Sequence, residues 1–245
     1  TAFAGAIKLQ GGTLTAGELT LSAASSSLVF NGGALQGNVT LQSGELVVQS
    51  AATLSGDLQL QGGNVVFSSS AEGTQLSVAQ QVVLAEDTVF IFDSRPEEKL
   101  YTLLSFDSWS GSLEDLTLTT RYHSPIEYEF VLDEHSLSVR VLDSSAVLYW
   151  NASKGTWAEG AISAWGQEDG SAADSGFCSG DFVIINRSAT LTIEGEVAPS
   201  AVLVEADKSV TFKTSYNKKT GEFSGSLAGS AVLTKRGKGT LTLND

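Results

Sequence analysis

The sequence predicts an all-β chain built as a parallel β-helix, on three observations. Short period-two runs such as Leu19-Thr20-Leu21, Val39-Thr40-Leu41 and Leu58-Gln59-Leu60 mark strands with one buried face. Apolar residues recur in matching sets between Gly11 and Phe67, with a period of about 20 residues. Between the sets lie Gly, Ser, Asn and Gln, which suit tight turns.

The first set is Leu14, Leu19, Leu21, Leu28 and Phe30; the second is Leu35, Val39, Leu41, Leu46 and Val48; the third is Leu54, Leu58, Leu60, Val65 and Phe67. Three short strands in each repeat would stack Leu14 on Leu35 on Leu54, and Phe30 on Val48 on Phe67. One such turn cannot bury enough apolar surface to fold alone, so each turn needs its neighbours. A β-sandwich of evenly spaced hairpins is the competing architecture.

From Glu86 to Val147 the rhythm changes to longer, more aromatic runs, among them Val89 to Phe92 and Tyr101 to Leu104. Tyr128 to Leu132, then Asp133-Glu134-His135-Ser136, then Leu137 to Leu142 read as a hairpin. Three regions follow: β-helix turns over 1–85, an aromatic, irregular β elaboration over 86–148, and a Trp-rich segment with further turns over 149–245, in one continuous unit. Whether 86–148 forms turns of the helix or an antiparallel insertion stays open at this level. Leu191 and Ile193 precede Val210 and Phe212 by the interval seen in the first third, which predicts that these two pairs stack.

Composition narrows function. The 245 residues carry 28 acidic and 14 basic side chains, a formal charge of −14, which repels nucleic acid and anionic lipid. The single cysteine, Cys178, can make no internal disulfide, and no apolar run is long enough for a membrane helix. No methionine occurs, no leader opens the chain, and Leu241 to Leu243 stops just short of the end, so the expectation is a piece of a longer exported polypeptide.

Two motifs carry a family resemblance. Leu233-Thr234-Lys235-Arg236-Gly237-Lys238-Gly239-Thr240-Leu241-Thr242-Leu243 is similar to the autotransporter-associated β-strand repeat, in which a leucine and a lysine precede G-x-G-T-L-x-L. Trp150-Asn151, Gly155-Thr156-Trp157, Trp165, Phe177 and Gly180-Asp181-Phe182-Val183 resemble the tryptophan-rich segment that precedes it, with Ala164 in place of the usual Asn and Ile185 in place of the final Phe. The resemblance covers 146–245. It implies a right-handed parallel β-helix, exported as the passenger of a bacterial autotransporter and held at the cell surface by a barrel outside this chain. Partners would then be the rest of that polypeptide and host glycans or surface proteins.

Parallel β-helices also include polysaccharide lyases and hydrolases, so a polysaccharide-degrading module is the alternative function, but catalysis finds little support. The neighbouring carboxylates Glu86-Asp87, Glu97-Glu98, Glu114-Asp115, Asp133-Glu134 and Glu168-Asp169 sit in turn-like contexts. Adjacent strand residues point to opposite faces, so none of these pairs converges by itself. His123 and His135 lack metal-ligand spacing, Ser124 beside His123 is no nucleophile elbow, and Cys178 has no basic partner in view. No catalytic residue, cofactor or metal is expected. Trp150, Trp157 and Trp165 read as packing residues rather than a sugar-stacking platform. Trp109, Tyr122 and Tyr128 in the aromatic middle are the candidates for ligand contact.

Overall fold

The computed structural model describes residues 2–3, 5–85, 88–122, 126–144, 146–172, 175–217 and 222–244, and for 2, 3, 216, 217, 222 and 223 the backbone alone. The fold is all-β with mostly parallel, open sheets, and strands take up 57% of the chain. It divides into two compact units, Thr1–Thr120 with Ile126–Ser144, and Arg121–Pro125 with Ser145–Asp245.

In the first unit the strands form three parallel columns. One holds residues 13–15, 34–36, Ala52–Leu54, Leu76–Val78 and Leu100–Ser105. The second holds residues 18–21, 38–41, Leu58–Leu60, Gln81–Leu84 and Ser108–Ser110. The third runs through Ala6–Leu9, Ser27–Asn31, Glu45–Ser50, Asn64–Phe67, Thr88–Phe92 and Leu116–Thr120. Every pair expected from the repeat is a register pair. Leu14 faces Leu35 and Leu35 faces Leu54, while Phe30 faces Val48 and Val48 faces Phe67. Period-two alternation turns these rows inward, and Leu21, Leu41, Leu60 and Leu84 form one continuous buried row.

The parallel ladders run on past Glu86 to Thr120. Antiparallel pairing begins with the hairpin of Glu127–Leu132 and Ser136–Asp143, whose second strand pairs with Leu100–Ser105. This is the hairpin anticipated from the alternation around Asp133-Glu134. It lays Leu137, Val139 and Val141 over Tyr101, Leu103 and Leu104 in one buried cluster, and Phe130 meets Phe90 edge-on at 6.1 Å.

The second unit repeats the arrangement with two main columns. Val147–Trp150, Phe182–Ile185, Ala201–Glu205 and Val232–Arg236 form one; Lys154–Trp157, Ala189–Ile193, Val210–Asn217 and Leu241–Asn244 form the other. The expected pairing of Leu191 with Val210 and of Ile193 with Phe212 is corrected here. Leu191 faces Phe212, and Ala189 faces Val210. The turn 205–209 after Val204 is longer by two than the turn 186–188 after Ile185, so the strand slips by two. A slip of two keeps the same face inward, which is why the alternation survives it.

Trp150, Trp157, Trp165 and Phe177 are fully buried with Phe212 in the core of this unit. Trp150 meets Trp165 edge-on at 5.0 Å and Trp157 meets Phe177 edge-on at 5.4 Å, while Trp165 stacks on Phe177 at 5.9 Å. Buried faces cannot stack on sugar, so these are packing residues. The lysine of the glycine-leucine motif, Lys235, pairs with Val204 in the ladder and donates from Nζ to the carbonyls of Ala206 (3.3 Å), Arg236 and Gly237 (3.1 Å). That closes the turn which Gly237 opens.

Candidate functional site

The three aromatic candidates are partly buried and each packs on its own unit. Trp109 pairs with Val82 and so continues the inward row Leu19, Val39, Leu58 and Val82. It is half-buried, its ring lies 5.5 Å from Phe106, and its Nε1 donates to the Gly111 carbonyl at 3.2 Å. Tyr128, on the hairpin, accepts a hydrogen bond from the Leu118 backbone N–H at 3.1 Å, and its ring meets Phe130 edge-on at 5.4 Å. Both residues pack on the same apolar cluster, but no ring contact joins them among the described residues. Tyr122 belongs to the second unit. Its carbonyl accepts from Gly176 N–H at 2.9 Å, and its ring lies so close to Gly160 that a methyl there would come within 2.4 Å of it.

The carboxylate pairs stay in turns. Glu97-Glu98, Asp133-Glu134 and Glu168-Asp169 are exposed, and Glu114-Asp115 forms part of a short 3-10 turn capped by Ser112. Glu86-Asp87, His123 and Ser124 lie outside the described residues. Backbone and side-chain hydrogen bonds from Ser171 hold the Asp169 carboxyl below the usual carboxylate range. Lys99 bonds Glu97 at 3.1 Å and is raised by that partner. Burial pushes the Tyr101 phenol up, although its oxygen accepts the Glu97 N–H at 2.8 Å. These are staples across one turn. Cys178 is fully buried, and its backbone N–H donates to Asp181 Oδ2 at 2.8 Å. Among the described residues no three His, Cys, Asp or Glu side chains group as a metal site, and no helix is long and apolar enough to cross a membrane.

What the sequence left unseen is a groove of about 580 Å³ on the first unit. Four stacked layers line it: Ala34 to Gln36, Thr53 to Ser55, Ser77 to Ala79, and Ser105 to Asp107, with His135 at one end. The register places Ala34 beside Thr53, Thr53 beside Ser77, and Ser77 beside Ser105. The same outward position in each layer thus carries a small side chain, and small side chains beside a bend in the sheet leave a trough. Ser105 Oγ donates to Ser77 Oγ at 3.1 Å, and Thr15 Oγ1 donates to Gln36 Oε1 at 3.1 Å. His135 Nδ1 lies 3.1 Å from the Asp107 carbonyl, and the His135 carbonyl accepts the Phe106 N–H at 3.0 Å.

Asp107 is the one carboxylate in this lining. General acid and base action across a glycosidic bond uses two. The groove therefore presents hydroxyl and amide groups beside a single carboxylate. Its sequence signal was Thr53, Ser77 and Ser105 at equivalent positions of successive layers, which the lengthening of the repeat concealed. No protein-family model, no curated protein and no solved structure matches the chain.

Proposed function

We propose that this chain is a non-catalytic structural and adhesive segment of a longer bacterial protein, exported and displayed at the cell surface in the manner of an autotransporter passenger. In this reading each unit is a right-handed β-solenoid, and its work is to carry other parts of the polypeptide and to offer its sides to host glycans or surface proteins. The observation that carries the reading is the unbroken inward ladder of Leu21, Leu41, Leu60 and Leu84 across parallel strands of equivalent position. A stack of near-identical layers lengthens by repetition and exposes long sides, which suits a spacer better than a closed active site. Further support comes from the motif pair at Trp150 to Val183 and Leu233 to Leu243, whose tryptophans and lysine hold the second unit together. A chain with one buried thiol also needs no disulfide chemistry during export. The charge of −14 disfavours nucleic acid as a partner.

The test is a fusion. The chain is placed between a signal peptide and the outer-membrane barrel of a laboratory autotransporter, and external protease is added to intact cells. The expected result is display on the surface, with a protease-resistant fragment that includes the first unit. Retention in the periplasm overturns the surface-display reading. Release of reducing ends or unsaturated products from polysaccharides by the purified chain overturns the non-catalytic one.

A further inference from the structure

We infer that the groove bounded by Gln36, Ser55, Ser77 and Asp107 is a binding site for an extended, uncharged glycan chain. This rests on the adhesive reading above and assigns it a place and a ligand class.

The geometry argues for a linear ligand. Strands in a parallel sheet lie about 4.8 Å apart, so the four layers from Ala34 to Ser105 span about 14 Å along the stack. The groove's 580 Å³ falls within the range that encloses a small ligand or a few linked monomers. Along that length the lining is mostly apolar, from Ala34, Leu35, Leu54, Val78, Ala79 and Phe106, and hydroxyl and amide groups recur in it on Gln36, Thr53, Ser55, Ser77 and Ser105. A periodic wall of neutral hydrogen-bonding and small apolar groups complements a polymer that is itself periodic, with hydroxyl edges and C–H faces.

Charge selects among such polymers. The first unit carries 17 carboxylates against 4 basic side chains. Within the groove no Lys or Arg appears, and Asp107 adds one more negative charge. A sulfated or uronic-acid chain would enter against that field with no cation to pair it, so polyanions are excluded as the ligand. A cationic peptide would be drawn to the unit as a whole. In the groove, however, a single carboxylate would face its charges.

Amide shifts of the isotopically labelled full chain test the assignment, with four probes: cellotetraose, chitotetraose, a heparin tetrasaccharide and tetralysine. At least one neutral tetrasaccharide should shift the amides of Gln36, Ser55, Ser77 and Asp107 in a saturable way, while the heparin fragment and tetralysine leave them in place. Ala79→Trp fills the groove from an exposed position and should weaken that binding about tenfold or more, the equivalent of one or two neutral hydrogen bonds. Gln36→Ala should weaken it in the same direction, and Thr117→Trp, exposed on a different sheet, should not. Three outcomes overturn the inference: neither neutral probe shifts the groove amides, Ala79→Trp binds as the parent does with its ladder amides unmoved, or the heparin fragment or tetralysine shifts the same set. None of these touches the surface-display reading, which stands or falls on the fusion.

Discussion

Gly37 and Gly17 occupy the same bend in two successive layers, and alanine at each should give opposite results. Gly37 has φ +140°, and a methyl built on it would lie 1.5 Å from the Ala16 carbonyl oxygen and 2.7 Å from the carbon. The oxygen belongs to the layer below. Relief requires parting two strands that pair through Leu14 with Leu35 and through Leu19 with Val39. Left-handed backbone at a residue with a Cβ costs about 1–2 kcal/mol. Forcing an extra carbon into a packed site costs about 1–3 kcal/mol. Gly37→Ala should therefore lose about 2–5 kcal/mol. Gly17, one layer earlier, has no heavy atom within 4 Å of its would-be Cβ. There alanine meets open space and restricts the unfolded chain, so Gly17→Ala should be neutral or stabilising by up to about 1 kcal/mol. Amide exchange at Val39 and Leu41, buried in the layer that Gly37 bends, reads the local opening energy directly. If the two variants differ by less than about 0.5 kcal/mol, layer contact is not what the glycine secures.

Two further predictions concern single groups. Tyr128→Phe keeps the ring on Phe130 but removes the acceptor of the Leu118 N–H, and should cost about 1–3 kcal/mol, read as faster exchange of the Leu118 amide. Unchanged exchange there would mean that the phenol does not seal the ladder. Burial raises the Tyr101 phenol above its ordinary value of 10.0, so the neutral form is the one the fold favours. Its contribution is fully present below that ordinary value and is lost as pH rises through the folded one. Ultraviolet titration should show a late phenolate step, shared with Tyr149, that Tyr101→Phe diminishes, and an unchanged profile in that variant would refute it.

The early layers were legible because their corners are short and of nearly constant length. Only 31–33 separate Phe30 from Ala34, and only 49–51 separate Val48 from Ala52, so one period carries every inward position into register. Later corners are longer, with 68–75 between Phe67 and Leu76 and 93–99 between Phe92 and Leu100. The steps that join Phe90 to Val65 and Leu118 to Phe90 are accordingly longer than the step that joins Val48 to Phe30. Trp109 stood out by aromatic enrichment alone, because its partner Val82 lies well beyond the early period and the inward row it continues does not show in the residue pattern. Corner length is set by polar networks that hydropathy does not register. Ser69 donates from N and Oγ to Asp93 at 2.8 and 3.0 Å, and the Gln75 amide closes on both backbone groups of Ser68. Such contacts connect residues on neighbouring layers or across a turn, and the residue types alone do not announce them. The groove was hidden by the same lengthening.

The second unit shows what replaces a ladder where one is missing. Between Trp157 and Phe182 the described backbone makes a single short strand, Trp165–Gly166, so about a whole layer lacks stacked pairing. Side chains do that work. Trp165 inserts among Trp150, Trp157 and Phe177, and Asn151 Nδ2 donates to the carbonyls of Gly170 and Ser171 at 2.7 and 3.0 Å. Glu159 accepts from both N and Oγ of Ser179 at 3.1 and 3.0 Å. The Nε1 groups of Trp150, Trp157 and Trp165 are buried with no polar acceptor among the described residues. The Trp150–Trp165, Trp157–Trp165 and Trp157–Phe177 pairs meet edge to face at 83° to 90°, the geometry aromatic pairs favour. Large aromatic surface outweighs that deficit, since each ring buries far more area than an aliphatic side chain. Tryptophan spacing in such a chain therefore marks where strand stacking lapses, as the recurrence of leucine marks where it holds.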